Sequence, residues 1–81
     1  MNALVIEHPA TVKADIAALA RLAHTQSRLS VQYEKWALEA EKEGKEVAAN
    51  RWAAESVRLR TSATWHIAKA MERKDTHYGR S

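Results

Sequence analysis

Eighty-one residues with 13 Lys+Arg against 10 Asp+Glu, two glycines, one proline and no cysteine describe one small domain of net charge +3. Without cysteine there is no disulfide framework and no thiolate chemistry. The apolar run nearest the start, residues 3–6, is too short for a signal-peptide core or a membrane span, so we expect no membrane partner and a cytoplasmic protein.

Residues 1–8 read as an N-terminal arm. Leu4, Val5 and Ile6 have strand propensity, but one short segment makes no sheet alone, so the arm is expected to lie across the rest of the chain or against another copy. A first helix is expected to begin between Pro9 and Thr11. Proline suits the first helical turn, threonine is a good N-cap, and Asp15 puts an acid near the positive end.

From residue 11 to 43 there is no glycine or proline, and from 45 to 74 there is again neither. Glycine is the usual left-handed stop after a helix, so Gly44 marks a turn between two long helices. The expected fold class is all-α: a long antiparallel helical hairpin over residues 9–74, assembling into a homo-oligomeric bundle. The polar segment 75–81 reads as a flexible tail.

In the first helix Val12, Ile16, Leu19, Leu22, Gln26, Leu29, Tyr33, Trp36 and Ala40 recur at steps of three and four, the face expected to pack on the second helix. Val31 and Leu38 lie about 200° away from that stripe. The second helix divides similarly. Val47, Ala54, Val57, Thr61, Trp65 and Ala68 form one set; Trp52, Leu59, Ala63, Ile67 and Ala70 form another. A two-helix hairpin buries one face per helix, so the extra lines, marked by Val31, Leu38, Trp52 and Leu59, are assigned to an oligomer interface such as a dimeric four-helix bundle. Trp36 and Trp52, eight residues either side of Gly44, are expected to meet. Gln26 and Asn50 interrupt the stripes and are candidates for fixing register. The stretch 36–59 resembles tetratricopeptide hairpins in its Ala and Trp spacing around a glycine turn. These helices are longer than that repeat and no second copy follows, so no function is taken from it.

The four histidines contain no pair at the three- or four-residue spacing that puts two ligands on one helix face, and no nucleophile–base constellation can be assembled. Neither an enzyme nor a cofactor or metal is expected. Charge is the remaining signal. Residues 1–40 sum to zero, whereas from residue 58 onward six Lys+Arg face only Glu72 and Asp75. Arg51, Arg58, Trp65, Lys69 and Arg73 are therefore the candidate partner- or phosphate-binding residues. The functional expectation is a small interaction protein that modulates, by inhibition, a protein partner, as motif-poor helical proteins of phages and mobile elements do. The alternative is a nucleic-acid- or signalling-nucleotide-binding accessory protein. No helix-turn-helix is legible, and +3 is a weak charge for such a role.

Overall fold

The computed structural model describes residues 8–78. The expected N-terminal arm, apart from His8, and the last three residues of the expected tail lie outside that range. Two helices fill it: α1, Pro9–Lys42, and α2, Glu46–Tyr78. They pack on each other as a hairpin 58 Å long and about 22 Å across.

The ends follow from local chemistry. His8 is extended (φ −66°, ψ 135°), as a residue before proline must be, and its Nδ1 accepts a hydrogen bond from Ala10 N at 3.0 Å. The cap is therefore His8 rather than Thr11, whose backbone N–H donates to His8 O at 2.9 Å. At the other end Gly44 adopts φ +76°, with Lys45 N donating to Ala40 O and Gly44 N to Glu41 O. These two hydrogen bonds around the glycine satisfy carbonyls of the last turn of α1, and the chain reverses there. Helix α2 then runs four residues past Lys74, to Tyr78.

The seam between the helices is made of small side chains. On α1 the buried residues include Ala23, Ser30 and Ala37; on α2 they are Ala49, Ser56, Ala63 and Ala70. Both sets repeat every seventh residue, so small side chains line each contact face and the backbones approach closely. The bond from Ser56 Oγ to the Ser30 carbonyl, 2.8 Å and buried, requires that closeness. Half-buried Ile16, Leu19, Gln26 and Tyr33 interleave on α1, and Trp52, Leu59 and His66 on α2.

Two features of this packing differ from the expected stripes. Leu22, Leu29 and Trp36, placed by periodicity on the α1 contact face, are 44%, 44% and 41% exposed, and each is displaced from the seam by the small residue that follows it. Burying them would hold the helices apart and leave the Ala/Ser line of α2 facing a void. Trp52 and Leu59 face α1 of their own chain. Trp52 packs on Tyr33 and Trp36 with ring centroids 5.4 Å from each, so the pairing of the two tryptophans across the turn is as the sequence suggests.

Candidate interaction surface

Because the seam takes the small residues, the large apolar ones are left outside. Val31, Leu38, Val57, Trp65, Ile67 and Met71 join Leu22, Leu29 and Trp36 as exposed side chains. Helical spacing sorts them onto two flanks and an outer face. One flank carries Leu22, Leu29 and Trp36 from α1 and Trp65 from α2. Three shallow depressions open along it. The largest, about 590 Å³, is lined by Arg58, Thr61, Ser62, Trp65 and His66. Another, about 330 Å³, lies between Leu22, Asp15 and Arg73. The third, about 250 Å³, sits beside Trp36 and Trp52. On the opposite flank a groove of about 270 Å³ has a floor of Ala37, Ala49, Ala53 and Ser56 under Leu38 and Val57, with Asn50 exposed at its edge. Val31 and Leu38, expected at an oligomer interface, are exposed, at 49% and 54%.

Beneath the first flank lies a polar layer. Gln26 Nε2 donates to Ser62 Oγ at 2.9 Å, and Gln26 Oε1 sits 2.9 Å from His66 Nδ1. With the amide oriented so, Nδ1 is the protonated imidazole nitrogen. Each polar group thus has a partner inside the seam, and sliding either helix by one turn would orphan all three. Gln26 thus sits within the seam, whereas Asn50 lies off it.

The structure redistributes the charge that the sequence placed on the second helix. Arg58 pairs with Glu55 (3.7 Å), Lys69 with Glu72 (3.2 Å), Arg60 with Glu34 (3.5 Å) and Arg73 with Asp15 (2.7 Å). Lys69 Nζ also lies 5.4 Å from the Trp65 ring centroid. Of the five candidate binding residues, Arg51, Arg58, Trp65 and Lys69 are exposed along one side of α2, and Arg73 is half-buried against α1. Among the described residues only Arg51 of the four cations in that set has no carboxylate within pairing distance. Two of these bridges draw on acids of α1. Among the described residues Arg21, Arg28 and Lys35, every seventh residue along the outer face of α1, have no ion pair. Adding charge by chain segment hid this, because the compensating pairs join residues tens of positions apart.

Among the described residues no group of three or more His, Cys, Asp or Glu is placed to hold a metal ion, and neither helix is long and apolar enough to cross a membrane. No known protein family, curated protein or solved structure matches the chain.

Proposed function

We propose that this chain is a non-enzymatic helical interaction protein that self-associates and binds a protein partner, acting on that partner as a modulator or inhibitor. One observation carries the reading: the hairpin closes largely on alanines and serines and leaves eleven large apolar side chains of the described residues exposed to solvent. Apolar surface on that scale is unfavourable in water unless a partner covers it. Trp65, 56% exposed beside Arg58 and Lys69, combines the residue types that anchor protein interfaces. The internal pairing of Arg58, Lys69 and Arg73 weakens that strip as a phosphate grip.

A second reading, binding to nucleic acid or a nucleotide, draws on Arg21, Arg28 and Lys35, three of the α1 cations with no ion pair among the described residues. The two are separated by capture from the native source under rising salt. A protein complex that survives salt, is lost on Trp65→Ala and is kept in Arg21→Ala/Arg28→Ala is the expected result. A nucleic-acid complex whose affinity falls steeply with salt, and vanishes with the arginine pair, would overturn it.

A further inference from the structure

We infer that a second copy of this chain docks against the outer face of α2, antiparallel, with a two-fold axis passing beside Thr61. The inference rests on the self-association proposed above and names its surface. Opposite the seam, α2 carries a second line at heptad spacing: Val47, Ala54, Thr61 and Ala68. It alternates with Asn50, Val57, Thr64 and Met71 at the three-and-four steps of a coiled-coil contact. All eight are exposed. None is charged, although Arg51, Glu55, Arg58, Arg60 and Lys69 occur within the same span and every one falls off the line. Thr64 Oγ1 donates to the Arg60 carbonyl (3.0 Å), so its hydroxyl proton is already satisfied within its own helix. The small positions repeat the device of the inner seam, where Ala49, Ser56 and Ala63 allow close helix approach.

The occupant is identified by symmetry and charge. Small residues flank Thr61 at equal distance on both sides, so an antiparallel copy sets Ala54 opposite Ala68 of the partner subunit. The same operation brings Arg51, which has no ion pair among the described residues, to the level of Glu72 of the partner subunit, a carboxylate that also lies 3.2 Å from its own Lys69. Arg60 approaches its own copy near the axis but carries Glu34 as counter-ion at 3.5 Å.

Since the chain lacks cysteine, single replacements report the geometry directly. Under a glutathione redox buffer Thr61→Cys should form a disulfide-linked dimer, Ala54→Cys alone should not, and a mixture of Ala54→Cys with Ala68→Cys should. Arg28→Cys, on the outer face of α1, should remain reduced. Circular dichroism of each variant checks that helicity is unchanged, since all four sites are exposed. A dimer in solution in which Thr61→Cys fails to cross-link, or Ala54→Cys links to itself, overturns this face while leaving self-association standing. A chain that sediments as a monomer overturns both.

Discussion

Gly44 is the residue on which the hairpin depends most locally. Its φ of +76° lies in the left-handed region, yet a Cβ built there meets no atom within 4 Å. The cost of a side chain is therefore conformational and not steric crowding by the fold. Gly44→Val should lower stability by about 1–2 kcal/mol, and Gly44→Asn by less, in urea titrations at fixed protein concentration. An unchanged midpoint for the valine variant would mean that the left-handed turn is not populated. Ser56, 3% exposed, tests the seam from the other side. Ser56→Ala loses one buried hydrogen bond, worth about 1 kcal/mol. Ser56→Leu must push the backbones apart and should cost more, about 1–3 kcal/mol or above. Equal effects from the two would contradict close packing at this point.

At the scale of the helices, most of the fold was legible in the sequence. The two long glycine- and proline-free runs, the stop at Gly44 and the meeting of Trp36 with Trp52 all follow from short-range chemistry. The face that each helix turns inward did not. Hydropathy favours the largest apolar side chains, so Leu22, Leu29 and Trp36 outweighed Ala23, Ser30 and Ala37 beside them. The decisive signal was the matching seven-residue spacing of small residues in both helices, which has meaning only when two helices are compared. On α2 the set Val47, Ala54, Val57, Thr61, Trp65 and Ala68 was recognisable as one surface, but only packing shows that it faces away from α1. Register is likewise a property of the pair. Gln26 announces a polar interruption; its partners Ser62 and His66 lie 36 and 40 residues away and become visible only in three dimensions.

At the scale of the whole molecule, shape and surface chemistry lead to the same conclusion. A radius of gyration of 18.1 Å compares with about 12 Å for a compact domain of this length. An isolated two-helix rod encloses little, and this one encloses mainly alanine and serine. Its stability as a lone chain is therefore expected to be marginal, and the proposed self-association would supply the burial that the seam lacks. Sedimentation equilibrium across a micromolar concentration series tests that claim most directly. The account predicts a mass of at least twice 9.1 kDa, with a thermal midpoint that rises with concentration. A single 9.1 kDa species that unfolds cooperatively at a concentration-independent temperature would contradict it.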